Sequence, residues 1–559
     1  MRDYNPASCA VPDALCVTLA LHFARHPPFY PVRASLMHPP RLFPAAGSPH
    51  ARFLHDARWH EPLLIGLLLV LWLLSTIWLR PLGMPDEGRY VGVAWEMVRS
   101  GDWLTPTLNR LPYFHKPPLF YWLTAVSISV FGNVEWAARL ASVLGAMLGA
   151  GGVYWLLRRW TTERLARWYL PVLATTPFFY GGAQFANHDM LVAGFISLSI
   201  SLTADAALSM EAGRRWRWQL GGGWVAAALG LLSKGLIGIV LPAGVIFFWM
   251  LVSGRWRAMF RLFWWPGPLL FLLVGAPWFV LMQRQFPDFF HYFFVYQHFQ
   301  RFAHSGFNNP KPLWFYPALL AVATLPWAPW LLARFRLDRS NADSVSYGAA
   351  RSVRLLLWTW VILITVFFTI PSSKLVGYAL PIVPALMALV TEGFVSGVSL
   401  RERWRIVFLV LAGSICIAAV TAAAYTDDSS SKPLALAYRR DAQADEPIIL
   451  VRTYRFDVPF YAGLREPVAV VNDWQVPITK DSWPKELADA SQFRPAVGQR
   501  VLVNTRDLGK LLCSHPVSWV IVPADYAAQV DALKSLTPVV RNKLYLLLRI
   551  ETSGLAGGC

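Results

Sequence analysis

Residues 83–122, GMPDEGRYVGVAWEMVRSGDWLTPTLNRLPYFHKPPLFYW, gather Asp86, Glu87, Arg89, Tyr90, Glu96, Asp102, Tyr113, His115 and Lys116 between apolar stretches. Ionisable groups at or just outside a membrane are costly, so they ask for a functional reading. A carboxylate there can orient or deprotonate an acceptor. A cation can stabilise a phosphate leaving group as its charge develops. Asp86 and Lys116 each abut a proline at the entry to apolar sequence, Pro85 and Pro117. Solvated loop charge accounts for Arg89, Glu96 and Asp102.

Three further stretches carry similar groups. FANHDMLVAG puts His188 and Asp189 where one apolar run ends and the next begins, with helix N-capping as the plain alternative for the aspartate. Residues 284–312 are aromatic with His291, His298, Arg301, His304 and Lys311 embedded. Aromatics at this level form an interfacial belt, and an arginine buried among them suits a phosphate. PSSKLVGYALP supplies Lys374 and Tyr378, and LLSKGL supplies Lys234; snorkelling is the alternative for both lysines. The sum is a site with two aspartates, several cations and an aromatic wall. No Walker loop, HExxH, CxxC or GxSxG motif accompanies it.

The elements that must position these residues are membrane helices. The 559 residues are 55% hydrophobic and 15% charged, against about 25% charged in soluble proteins. Eleven apolar runs, 62–80, 136–157, 167–185, 189–208, 219–233, 235–252, 262–283, 313–333, 355–370, 375–396 and 406–425, are spans or broken spans. The net charge of +18 is a topology signal. Residues 426–559 hold 16 basic and 15 acidic residues, which leaves the excess in the apolar part. Spaced this way it argues against nucleic-acid binding, which needs a contiguous basic face. Eighteen arginines lie in five alternate loops, Arg158–Arg167, Arg214–Arg217, Arg255–Arg261, Arg334–Arg354 and Arg401–Arg405. They mark the cytoplasmic side.

The candidate site residues fall on the other side. PPLFYWLTAVSISVFG (117–132) would reverse every later loop if it crossed, so it is expected to be interfacial or re-entrant. With eleven spans the tail is extracytoplasmic. Its runs PIILVRTYRF, PVAVVN, RVLVNT, SWVIVP and KLYLLLRI alternate with the helical KELADA and DYAAQVDAL, which reads as an α/β domain. Cys513 and Cys559 lie in this tail, where they can pair. The expected organisation is a cytoplasmic arm over 1–60 that is disordered or not the native start, a transmembrane domain over 61–425 with its first outer loop at 81–135, and the α/β domain over 426–559.

PDEGRYVGVAWEMVRSGDWLTPTLNRLPYFHKPPLFYWLTAVSISVFG resembles the first outer loop of membrane-embedded glycosyltransferases that use polyprenyl-phosphate sugars. The likeness rests on DE-x-RY, SGDW-x-x-P-x-x-N and PY-x-x-KPP in that order, and extends through Arg139 to Asp189. This GT-C group includes the protein O-mannosyltransferases and the lipid A 4-amino-4-deoxy-L-arabinose transferases; the α/β tail is more similar to the latter. The resemblance implies a polytopic α-helical protein of about 11–13 spans. The implied activity is inverting transfer of aminoarabinose from undecaprenyl phosphate to a lipid A phosphate at the periplasmic face of the bacterial inner membrane, with resistance to cationic peptides as the outcome. Asp86 and Asp189 would be the catalytic carboxylates, and Lys116, Arg301 and Tyr378 the carrier-phosphate contacts. Glu87, Tyr90, Tyr113, His115, His188 and Lys374 would line the cavity. Relatives often carry Glu at the His115 position and a Leu-Asp pair at His188–Asp189. The implied protein is a monomer in contact with membrane lipids. It requires no cofactor, and a divalent metal on His115 or His188 is an option that ligand spacing does not support. The alternatives are protein O-glycosylation and, in another class, a lipid or solute transporter, which would show mid-span charges and an internal repeat.

Overall fold

The computed structural model describes residues 60–300, 310–333, 348–396, 401–478, 482–527 and 537–552. All of these belong to one compact unit, Pro49–Cys559. Each of the eleven apolar runs is helical. In chain order the helices are α1 (His60–Leu74), α2 (Asp86–Ser100), α3 (Leu119–Phe131), α4 (Glu135–Trp160), α5 (Glu163–Ala174), α6 (Pro177–Ala183) and α7 (His188–Glu211). They continue with α8 (Arg217–Lys234), α9 (Ile237–Val252), α10 (Pro266–Gln285), α11 (Phe315–Ala323), α12 (Gly348–Thr369), α13 (Val383–Ser396) and α14 (Glu402–Thr426). Among the described residues six helical segments are long and apolar enough to cross a membrane: α4, α7, α10, α12, Val376–Ser396 and α14. Two runs are broken for a local reason. Run 167–185 divides at Thr175–Thr176, where Pro177 opens α6. Run 313–333 leaves the helix after Ala323, ahead of Pro326 and Pro329, which offer no backbone donor.

The arginine-rich loops meet at one end of this bundle. Arg159 pairs with Asp205 at 3.3 Å, and Arg214 lies 5.3 Å from the Trp160 ring. Arg255 pairs with Glu211 at 3.1 Å and donates to Ser352 Oγ at 2.7 Å, and Arg354 pairs with Glu392. These contacts link the first four loops, and Arg405 of the fifth donates to Val395 O at 3.1 Å, close along α13 to Glu392, so the described arginines gather at one end as the spacing of the runs requires. Helices α4 and α7 cross closely at Gly145 and Gly194, where a Cβ on either would strike the partner backbone.

The other end carries residues 81–134 and the C-terminal sheet. Strands β1 (Thr107–Leu108) and β2 (Leu111–Pro112) form a hairpin whose two-residue turn, Asn109 (φ 55°) and Arg110 (φ 62°), is of the mirror-image kind. Glu96 accepts from the backbone N–H of both turn residues and from Thr107 Oγ1, so it is a structural cap and not a solvated charge. Helix α3 has 13 residues and so spans about 20 Å, short of a 30 Å hydrocarbon core. Both of its approaches touch the C-terminal unit. Before it, Asn109 exchanges two hydrogen bonds with Val468 (2.8 and 2.9 Å). After it, Asn133 donates to Phe460 O and Glu135 pairs with Lys432. The helix therefore returns to the end from which it started.

The five β-branched runs of the tail are strands β3 (Ile448–Val451), β4 (Ala469–Asn472), β5 (Leu502–Asn504), β6 (Val517–Pro523) and β8 (Tyr545–Glu551), joined by β7 (Val540–Arg541). The sheet order is β5-β4-β3-β6-β8-β7; the first four are parallel, and β8 runs antiparallel to both β6 and β7. Its core is continuous with the first loop: Val91, Trp95, Phe120 and Tyr121 share one buried cluster with Leu434, Phe456, Phe460 and Leu450. Cys513 is disulfide-bonded; Cys559 lies outside the described residues. Cys416 is a buried free thiol.

Candidate active site

The site begins with the frame that holds α2. Arg139, 1% exposed, directs all five of its N–H donors inward. Two go to Glu87 (2.8 and 3.0 Å), and three go to the carbonyls of Ile77, Arg80 and Pro81 (2.7–2.8 Å). Glu87 also receives Arg80 (2.7 Å) and the backbone N–H groups of Gly83 and Ala186 (both 2.7 Å). Burial alone would raise the Glu87 pKa, but Arg139 and Arg80 outweigh it and bring it down to about 2. Glu87 is thus fully buried in a latch between α1, α2, α4 and the start of α7, not a cavity group as its sequence position suggested. The latch contributes fully above the ordinary carboxylate value of 4.5 and is lost as pH falls through about 2. The stability difference between wild type and Glu87→Gln is therefore expected to stay constant above about pH 4.5 and to narrow on acidification, as measured by denaturant unfolding at stepped pH.

With Glu87 fixed, the first turn of α2 presents Asp86, its side chain 50% exposed, beside Arg89 at 3.5 Å. One turn on, Tyr90 meets the ring of His188 at 4.5 Å. Burial raises the Tyr90 pKa and the Asp86 charge adds to it, which keeps the phenol neutral; the Tyr378 phenol acts on it in the same sense. His188, 1% exposed, is boxed by Tyr90, Phe120 (4.7 Å) and Tyr121 (4.9 Å). The positive charges of Lys116 and Lys234 lie within electrostatic reach of this ring.

Asp189 does not cap its helix; Asn187 does, accepting from the Asp189 N–H at 2.9 Å. The Asp189 carboxylate instead forms an ion pair with Lys234, whose ammonium lies 4.4 Å from the Tyr378 ring. Lys234 is thus held in the site by a carboxylate and a phenol ring, and simple snorkelling does not describe it. Gly377 makes this junction possible, because a Cβ there would collide with the Asp189 carboxylate. Gly377→Ala is expected to cost about 1–3 kcal/mol, read as a lowered Tm.

Several expectations meet different surroundings. Lys374, 2% exposed, donates to the carbonyls of Lys311 (3.0 Å) and Pro371 (2.7 Å). It fastens the segment at Lys311 to the loop after α12 and does not line the site. Tyr113, 1% exposed, is stacked on His115 at 4.4 Å. Phe286, Phe289 and Phe293 of the aromatic loop are buried against Phe114, Trp278 and Phe279. Phe493 of the C-terminal unit packs on Phe114 and Phe286, so these rings form an internal dock in addition to any interfacial belt. Arg301 and His304 lie outside the described residues, and so does the side chain of His298. Among the described residues no three His, Cys, Asp or Glu gather as a metal site.

The sequence reading missed Glu486. It lies on the helix Trp483–Ser491 of the tail, 6% exposed, and pairs with Arg89 at 3.2 Å. Its charge also reaches Tyr113. No local motif marks it, because only the fold of the tail brings it to the first loop.

Fold and site together define a multi-pass helical membrane protein with an ionisable site at one end of the bundle, beneath an α/β unit. That architecture matches the crystal structure of ArnT from Cupriavidus metallidurans bound to undecaprenyl phosphate, with a TM-score of 0.74 and 24% identity over 90% of this chain and 100% of that one. In sequence the chain is 34% identical over 331 residues to the undecaprenyl phosphate-alpha-4-amino-4-deoxy-L-arabinose arabinosyl transferase of Erwinia tasmaniensis, a match covering 57% of this chain and 56% of that protein. It is 32% identical to the Pectobacterium carotovorum protein of the same name, over 63% of this chain and 64% of that one. The matches thus span less than two thirds of these relatives. Residues 115–281 match the family described as dolichyl-phosphate-mannose-protein mannosyltransferase. The resemblance read from the first loop is borne out.

Proposed function

We propose that this chain is an inverting glycosyltransferase that moves 4-amino-4-deoxy-L-arabinose from undecaprenyl phosphate to a phosphate of lipid A. The carrying observation is the meeting of Asp86, Tyr90, His188, Asp189, Lys234 and Tyr378 at the bundle end opposite the arginine loops. Arginine-rich loops are characteristic of the cytoplasmic side, which supports a periplasmic site and α/β unit at the inner membrane. Nucleotide sugars are scarce there, so the donor arrives in the lipid.

In the reaction an acceptor phosphate oxygen attacks the anomeric carbon, and the bond from that carbon to undecaprenyl phosphate breaks. The departing phosphate carries the electron pair away against Lys116, with Tyr378 and Arg301 as further contacts and Lys234 held alongside. Fixed cations lower such a barrier because they need no reorganisation as charge develops. The acceptor oxygen is already ionised, so a strong base is unnecessary. Asp86 then orients the acceptor or the sugar amine, and Asp189 holds Lys234 in place.

Mass spectrometry of lipid A from cells with and without the protein is expected to show a loss of the aminoarabinose mass increment in its absence. Unchanged lipid A with altered glycoproteins would transfer the assignment to protein O-glycosylation, the reaction of the mannosyltransferase family matched by residues 115–281.

A further inference from the structure

A cleft of about 780 Å³ opens on the far side of the Glu87 latch, between the first and last spans and the C-terminal sheet. Trp78 lines it from the end of the first apolar run and Asp427 and Asp428 from the end of α14; Lys432, Arg541 and Lys543 line it from the α/β unit. Its depth relative to a bilayer is marked twice. Trp78 is 61% exposed and Tyr425, in the last turn of α14, is 86% exposed; exposed Trp and Tyr at span ends sit at the headgroup level. Beyond them the spans turn bare apolar side chains outward, among them Leu67 and Leu71 of α1 and Val410 and Leu411 of α14.

The charges of the cleft are mixed, and that selects the ligand. Asp427 and Asp428 would repel a purely anionic headgroup, and Arg541 and Lys543 a purely cationic one, Lys432 being paired with Glu135. A headgroup carrying phosphate and ammonium together satisfies both. The cationic wall is pre-positioned: Asn542, at the β7–β8 turn, donates to Ser430 O at 3.4 Å and accepts from the N–H groups of Leu544 and Tyr545. Arg541 is exposed and forms no ion pair among the described residues. The Lys543–Asp428 pair across the cleft is exposed on both sides, and pairs of that kind are weak enough for a ligand to replace.

We propose that this cleft seats the headgroup of a zwitterionic phospholipid of the phosphatidylethanolamine type. Arg541 and Lys543 take the phosphate, with Lys432, held by Glu135, at its edge; Asp427 and Asp428 take the ammonium, and the acyl chains run down the bare faces of α1 and α14. The bound lipid joins the β7–β8 turn to the membrane surface. Arg80, which faces Asp427 at 4.0 Å and Glu87 at 2.7 Å, connects the cleft to the latch behind the active site.

The test is native mass spectrometry of the full chain in detergent, titrated separately with phosphatidylethanolamine, phosphatidylglycerol, phosphatidylcholine and lipid A. Phosphatidylethanolamine is expected to form a single adduct at least about tenfold more readily than the others, the order of one charge-assisted hydrogen bond. Arg541→Ala is expected to weaken that adduct about tenfold while the Tm without added lipid stays unchanged. Equal adducts with phosphatidylcholine, preference for phosphatidylglycerol or for lipid A, or an Arg541→Ala adduct equal to wild type would each overturn the proposal. Because no sugar donor is present, its failure leaves the transfer reading untouched.

Discussion

Asp86→Asn is expected to lower sugar transfer at least a hundredfold, the order associated with loss of a positioning or proton-transfer group. Asp86 occupies the first turn of α2, half-exposed, with Glu87 locked behind it. The substitution keeps shape and removes charge, so the fold and the Tm are expected to hold. Transfer from the polyprenyl donor to lipid A by purified protein, followed by mass, checks the result. An orienting role predicts that the pH–rate profile keeps its shape while its height falls, whereas a general base would lose its acidic limb. Lys116→Ala in the same assay is expected to lose about two to three orders of magnitude, through failure to stabilise the leaving phosphate. Full transfer by either variant would overturn the site assignment.

Arg139→Ala is expected to be the most damaging change to the fold. It strands Glu87 without its main counter-charge and leaves the carbonyls of Ile77, Arg80 and Pro81 without their donor. Removing one partner of a buried ion pair costs about 3–5 kcal/mol, a large share of a typical stability of roughly 5–15 kcal/mol. The expected outcome is a lost or strongly lowered folded fraction by size-exclusion and thermal melt. Arg139→Lys is expected not to rescue it, because three ammonium donors cannot replace five fixed in one plane. A variant with wild-type Tm would show that the latch is dispensable.

Much of this was legible in the sequence for simple physical reasons. Apolar length reports helices, and arginine spacing reports which loops share an end; the contacts from Arg159 through Arg255 to Arg354 agree. The parity of the runs required residues 117–132 not to cross, and α3 returns to its starting end. The strands of the tail were readable because β-branched runs are short and bounded. What could not be read was partnership. Glu87 and Asp86 are neighbours, yet one is locked into five hydrogen-bond donors and the other faces outward, a distinction set by Arg139 more than fifty residues away. Lys234 and Lys374 look alike in sequence, each a lysine beside an apolar run. Lys234 meets Asp189 in the site, and Lys374 spends its donors on two carbonyls. Glu486 lacks any local signature because its role exists only once the tail has folded over the first loop.

The bond from Leu82 N–H to Tyr461 Oη joins positions 379 residues apart, and the Arg89–Glu486 pair crosses a still longer gap. The chain is made from its beginning, so the segment bearing Asp86 must wait for nearly every later span to be inserted before its wall arrives. Until the tail has folded, the site lacks Glu486 and the first loop lacks the surface that buries Trp95 and Phe120. Completion of the site is therefore tied to the end of the chain: a partly inserted chain holds Asp86 without the wall that surrounds it in the finished fold.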